Sequence, residues 1–335
     1  MTLRVAVLGA GYFSRFHTES WQRMDGVQLV AQADLDPANC LSSVESFDAL
    51  EPMLDATRPD ILDIAIPPSG HLEAIRLACE TGVRAIICQK PFCAGLEEAK
   101  TASKIAEDAA IPLIVHENFR FQPWYRRIAE ILQCGELGDV QQVTFRLRTG
   151  DGQGPEAYLD RQPYFQTMPR LLIHETAVHW VDTFRFLLGP IRDVYADLRS
   201  LNPVVTGEDA GHVIFGFDGG VRALFDGNRH LDHAAKNHRM TLGEALVEGT
   251  RGTLKLMGDG TLWQRDFGAL KPRCVLQAQD WPGFAGDCVH ALQTHVVDAL
   301  RSGAAFENLA ADYLRVIEVE EAIYRSADTH MRITL

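Results

Sequence analysis

Short, continuous apolar runs punctuate the first third of the chain at Arg4 to Leu8, Gln28 to Ala33, Ile61 to Ile66, Arg84 to Cys88 and Leu113 to Val115. Runs of this length without alternation predict strands buried on both faces, as in a parallel sheet. Between them apolar residues recur at spacings of three and four, as in Leu72-Ile75-Cys79 and Ala99-Ala102-Ile105-Ala106, which predicts crossover helices. Strand and helix therefore alternate, the pattern of a doubly wound α/β domain.

From Val140 onward the texture changes. Val140 to Arg148, Val194 to Leu198, Ala210 to Phe217, Val221 to Asp226, Ala245 to Glu248 and Thr253 to Met257 read as short strands, with turns at Asp218-Gly219-Gly220 and Thr250-Arg251-Gly252. A large, mainly antiparallel sheet is predicted. Helices are expected near Thr176 to Leu188, Asp287 to Arg301 and Leu309 to Ser326. The fold class is thus α/β in two domains, residues 1–120 and 121–335, expected to pack around a shared cleft near Asn118 to Trp124.

Composition narrows the partners. The 335 residues are 46% hydrophobic and 23% charged with a net charge of -13, and no dense basic run offers a nucleic acid or membrane surface a footing. A small-molecule ligand is expected. The seven cysteines are odd in number and scattered without a Cys-x-x-Cys pair, which fits reduced thiols in the cytoplasm. The N-terminus runs straight into the first strand, too briefly for a signal-peptide core, and no apolar stretch reaches spanning length.

Gly9-Ala10-Gly11-Tyr12-Phe13-Ser14 follows the first strand and opens a helix, the context in which a glycine fingerprint binds a dinucleotide. Gly9 permits the tight turn, and Gly11 lets a pyrophosphate approach backbone amides at the helix N-terminus, beside Tyr12 and Phe13. Ser14 stands in place of the third glycine. Asp34, about twenty residues on at the end of the second strand, suits the hydroxyls of a ribose. Leu35-Asp36 follows with no arginine for a 2′-phosphate, so NAD is favoured over NADP; Asp36 serves equally well as a turn residue.

Ile66-Pro67-Pro68, Gln89-Lys90-Pro91 and Glu175 to Asp182 then follow in order, with His116 to Tyr125 and Val247 to Thr253. With these the chain resembles, nearly end to end, the glucose-fructose oxidoreductase, inositol dehydrogenase and rhizopine-catabolism (Gfo/Idh/MocA) family of NAD(P)-dependent sugar and polyol dehydrogenases. The resemblance implies a Rossmann domain followed by an α/β domain whose open sheet makes subunit contacts, hence a homodimer or homotetramer. It also implies that the segment holding Pro67 and His71 passes beneath the nicotinamide.

Lys90 matches the lysine of the family's Glu-Lys-Pro signature. Placed after a buried strand, its ammonium suits hydrogen bonding to a substrate oxygen and stabilisation of alkoxide character. Gln89, where the family has glutamate, keeps hydrogen bonds and removes a negative charge beside the lysine. Glu175 and His179 are four apart and share a helix face, with Asp182 on the same stripe. In the family's role His179 removes the hydroxyl proton and Glu175 orients or electrostatically supports the imidazole. His174 and His179, five apart and about 140° around a regular helix, do not chelate one ion, so no metal is expected.

Asn118, Arg120, Trp124 and Tyr125 form a polar and aromatic cluster suited to a polyhydroxylated ring, though they serve as well to join the domains. Arg148, Tyr164 and Arg170 are further candidates for the substrate rim, and the arginines keep a sugar acid in play. The expected activity is NAD-dependent oxidation of an aldose, polyol or related sugar hydroxyl. Two alternatives stay open: a lyase or glycoside-cleaving enzyme using NAD in a transient redox cycle, and a non-catalytic NAD- or sugar-sensing protein.

Overall fold

The computed structural model describes residues 2–335. Backbone proximity divides the chain into two compact units, residues 1–118 with 289–317, and residues 119–288 with 318–335.

The first unit carries strands β1 (Leu3–Leu8), β2 (Val27–Ala33), β3 (Glu45–Phe47), β4 (Ile61–Ile64), β5 (Ala85–Gln89) and β6 (Leu113–His116). Helices α1 (Ser14–Gln22), α2 (Leu50–Thr57), α3 (His71–Thr81) and α4 (Leu96–Asp108) alternate with them. The six strands are parallel in the order β3-β2-β1-β4-β5-β6. Every residue of β4, β5 and β6 is buried, which is why these segments read as unbroken apolar runs. Three buried polar residues interrupt them: Asp63 within β4, and Gln89 and His116 at the ends of β5 and β6.

The second unit holds α5 (Pro123–Gln133), β7 (Val140–Leu147), α6 (Val178–Leu188), β8 (Ile191–Arg199), β9 (Ala210–Phe217) and β10 (Arg222–Asn228). It continues through β11 (Gly243–Gly249), β12 (Gly252–Leu256), β13 (Leu262–Asp266) and β14 (Arg273–Leu276). After α7 (Cys288–Ser302) and α8 (Ala310–Thr329), β15 (Ile333–Thr334) closes the chain. The nine strands run β14-β13-β12-β11-β7-β10-β9-β8-β15, antiparallel except for the β7–β10 pair. Along β10 and β11 burial alternates residue by residue, so one face packs on the core and the other lies open.

Two expectations need correcting. Residues 289–317, assigned from the sequence to the second domain, fold with the first unit: Gln293 on α7 donates to Asp63 on β4, and Asn308 donates to the Glu117 carbonyl. The helix expected over Thr176 to Leu188 begins earlier and changes type, because Leu172–Ala177 is a π-helical turn that leads into α6. Its hydrogen bonding reaches back five residues, from the Val178 N–H to the Ile173 carbonyl. The seven cysteines are free thiols. Among the described residues no helix is long and apolar enough to cross a membrane.

Candidate active site

Because all six strands of the first sheet are parallel, their carboxyl ends share one edge. The strand order reverses between β1 and β4, and the crevice of such a sheet lies at that reversal. On this edge stand the Gly9 loop after β1, Asp34 after β2, Pro67 beyond β4, Lys90 after β5 and Asn118 beyond β6.

Gly9 sits at φ +109, and a Cβ there would lie 2.4 Å from the Ala65 carbonyl oxygen, so the close approach of the chain beyond β4 requires glycine. A Cβ on Gly11 would meet nothing within 4 Å, leaving open space above the loop that leads into α1. Ser14 does more than fill the third glycine position. Its hydroxyl donates to the Gly9 carbonyl at 2.6 Å, and Gln32 Nε2 donates to the same carbonyl at 2.8 Å. Asp34 clasps the loop as well, accepting the Ala10 N–H at 2.7 Å through one oxygen and the Asp36 N–H at 3.1 Å through the other. Asp36 itself caps the turn at Pro37–Asn39.

These features fit a dinucleotide: an open, glycine-lined turn at a helix N-terminus, with a carboxylate whose remaining lone pairs suit ribose hydroxyls. Asn118 adds a buried Nδ2 with no hydrogen-bond partner in the protein, a donor in want of an acceptor. His71, expected to touch the cofactor, is a brace instead. Its Nε2 donates to the Ile66 carbonyl at 2.9 Å and its Nδ1 accepts the Cys93 N–H at 3.2 Å, joining the loops after β4 and β5. Burial pushes its pKa down, which favours the neutral ring that this pair of bonds needs. Pro67 is exposed on the same edge.

Lys90 is half-buried, and its peptide bond to Pro91 is cis. Its backbone N–H donates to Gln89 Oε1 at 2.7 Å.

In the second unit the π turn and α6 carry Glu175, His179 and Asp182. His179 is buried and stacks on Phe119, with ring centroids 3.8 Å apart and planes 5° from parallel. Glu175 lies half-buried on the π turn. Thr176 beside it accepts a hydrogen bond from Arg229 Nη1 at 2.9 Å, and Arg229 is paired through Nε and Nη2 with Asp151, at 3.2 and 2.8 Å. Burial works against the charge on both partners, yet their attraction prevails: Arg229 holds Asp151 below the usual carboxylate range, while Asp151, Tyr158 and Glu175 raise Arg229. Tyr164 belongs to the same neighbourhood. Although the residue is half-exposed, partial desolvation and then the Glu175 charge push its phenol up to about 12.

Several expected substrate contacts take other roles. Trp124 has no exposed surface; its indole donates to Gln122 Oε1 and packs edge-on to Trp281. Tyr125 is buried too, its hydroxyl accepting from Trp180 Nε1. Arg120 forms a two-point ion pair with Asp182, the Nε contact at 2.8 Å. Arg148 is buried and spans the Leu147 and Asp226 carbonyls and the Asp226 carboxylate. Arg170 pairs with Glu321 at 2.7 Å over the Tyr324 ring. The two arginines expected at a substrate rim thus tie strands and helices together.

The 140° separation of a regular helix does not describe His174 and His179, because His174 lies within the π turn. His174 Nδ1 instead meets Glu320 Oε1 at 2.6 Å. Among the described residues no group of three or more His, Cys, Asp or Glu side chains is placed to hold a metal ion.

Both units resemble known proteins. Residues 3–117 match the model of the oxidoreductase family with an NAD-binding Rossmann fold, and residues 125–255 match the GFO/IDH/MocA C-terminal domain. A D-apiose dehydrogenase of Paraburkholderia graminis is 31% identical over 96% of this chain and 87% of its own. An inositol 2-dehydrogenase of Rhizobium meliloti is 29% identical over 56% of each chain. An oxidoreductase of Agrobacterium radiobacter, solved in complex with NAD+, L-tartaric acid and magnesium, superposes with a TM-score of 0.89 at 26% identity, covering 100% of this chain and 98% of that one. The chain therefore belongs to the GFO/IDH/MocA family of NAD-binding oxidoreductases.

Proposed function

We propose that this protein is an NAD-dependent dehydrogenase that oxidises a hydroxyl of an aldose, polyol or related sugar. The observation that carries this reading is the alignment of the Gly9 loop, Asp34 and Lys90 along the carboxyl edge of one parallel sheet. The likeness to a D-apiose dehydrogenase over nearly the whole chain supports a sugar as the substrate class.

Bound NAD supplies the hydride acceptor. Lys90 donates a hydrogen bond to the reacting oxygen and stabilises the negative charge that develops as the proton leaves. His179 takes that proton, its ring plane held by Phe119, and Glu175 stabilises the imidazolium that results. Arg229 and Asp151 keep the π turn beneath Glu175 in place through Thr176. A panel of aldoses, polyols and aldonates, offered with free NAD and followed by NADH absorbance, tests the reading. Turnover of at least one sugar is expected; none with any member would refute it.

The open face of the nine-stranded sheet supports self-association through a second copy of the chain. Tyr195, Ile214, Leu224, Thr144 and Leu246 lie in register across five neighbouring strands as a mainly apolar row. The next row, His212, Asp226, Arg146 and Glu244, mixes both signs of charge, as a self-complementary interface requires. Light scattering should show a dimer or tetramer, and Leu224→Glu should reduce it to monomer.

A further inference from the structure

At the end of β5, Gln89 is gripped from two sides. Its Oε1 accepts the Lys90 backbone N–H at 2.7 Å, while its Nε2 lies 3.2 Å from His17 Nε2 on α1. Behind His17 stands Asp63 of β4, fully buried, whose carboxylate takes His17 Nδ1 at 2.9 Å, Trp21 Nε1 at 2.7 Å and Gln293 Nε2 at 3.1 Å. The chain of contacts is continuous from Asp63 to the peptide of Lys90.

Donor and acceptor chemistry sets every hydrogen in it. The Lys90 N–H is an obligatory donor, so the Gln89 carbonyl oxygen must face it and the Gln89 NH2 must face His17. An NH2 group only donates, so His17 Nε2 must present its lone pair. The ring hydrogen therefore sits on Nδ1, pointing at the Asp63 carboxylate. Burial opposes the charge on Asp63, but the hydrogen bonds it accepts from His17 and Trp21 hold its pKa below the ordinary value. His116 lies against the His17 ring at 4.1 Å between centroids. The neighbouring Cys88 thiol is raised well above its usual value by burial and stays neutral, leaving Asp63 as the anion against which His17 is set.

We infer that Asp63, His17 and Gln89 form a buried positioning relay for Lys90, and that the amide at position 89 selects the Nδ1–H form of His17. His17 touches no reacting atom in this scheme; it fixes the Gln89 side chain, which fixes the main chain that carries the lysine. A carboxylate at position 89 would accept from both neighbours and draw a second hydrogen onto His17 Nε2. The kinetic consequence rests on the dehydrogenase reading, whereas the hydrogen placement does not.

Two measurements test the relay independently. In long-range proton–nitrogen correlation spectra of the histidine-labelled protein, with His17 assigned by its loss in His17→Gln, the wild type should show Nδ1 protonated and Nε2 bare. Gln89→Glu should protonate both nitrogens. A protonated Nε2 in the wild type, or no change in Gln89→Glu, overturns the proposal whatever the substrate proves to be. In single-turnover kinetics His17→Gln keeps an acceptor for Gln89, while His17→Asn keeps only the donor toward Asp63. His17→Asn should slow hydride transfer about tenfold more than His17→Gln. Equal losses, or the reverse order, would mean that His17 merely satisfies Asp63. If one of the two variants fails to fold, the other supplies the His17 assignment and the spectra of wild type and Gln89→Glu decide.

Discussion

Phe119 and His179 stack face to face, 3.8 Å between ring centroids and 5° from parallel, while Trp180 meets the imidazole edge-on at 6.4 Å. An imidazole held in this way has its plane fixed before any substrate arrives, which is what a general base needs. His179→Ala should slow hydride transfer by about 10²-fold or more with little change in NAD affinity. Phe119→Leu, which keeps an apolar side chain and removes the flat partner, should lower the same rate by roughly tenfold. Single-turnover rates in both variants check this; a wild-type rate in His179→Ala would place the base elsewhere.

Asp34 joins the glycine loop to the end of β2 through the Ala10 N–H. Its charge disfavours a 2′-phosphate and its free lone pairs suit a ribose. NAD should bind more tightly than NADP, and Asp34→Ala should lose most of that preference. Titration of both cofactors by calorimetry decides; equal affinities in the wild type would contradict the assignment.

Asp151 supplies an acid-stability test. Its pKa is depressed in the folded protein, so the stability it contributes is fully present above the ordinary carboxylate value of about 4 and is lost as pH falls through its lower native value. Asp151→Asn leaves the buried Arg229 without its counter-charge and should cost roughly 2–3 kcal/mol at neutral pH, at the low end for a broken ion pair because Asp151 is partly exposed. The gap from wild type should stay flat from pH 7 to near 4 and close below it. Urea unfolding at pH 7 and pH 3 measures it; a gap of the same size at both would contradict the pairing.

What the sequence revealed follows what each feature depends on. The parallel strands were legible because burial on both faces leaves an unbroken apolar run, and the glycine loop because its position between strand and helix is local. β3 was not legible: it is three residues long, lies at the sheet edge, and has no buried residue. Periodicity showed α7 to be a helix without showing that it belongs with the first unit, since its bond from Gln293 to Asp63 joins residues 230 apart in the chain.

The π turn was hidden because Glu175 and His179 have the same spacing in an α-helix and in a turn bonded five residues back. Arg120, Arg148 and Arg170 looked like binding residues until their partners Asp182, Asp226 and Glu321 were located. The sequence does carry a signal of the buried pair: a lone aspartate in the apolar run Ile61 to Ile64 must be paired when buried, and Asp63 leads directly to His17.

Transfer of isotope from a substrate deuterated at the reacting carbon tests the central claim most directly. With free NAD in excess, the label should appear on the nicotinamide of released NADH, one equivalent for each sugar oxidised. Product that accumulates over many turnovers without added NAD, and without labelled NADH in solution, would contradict a dehydrogenase.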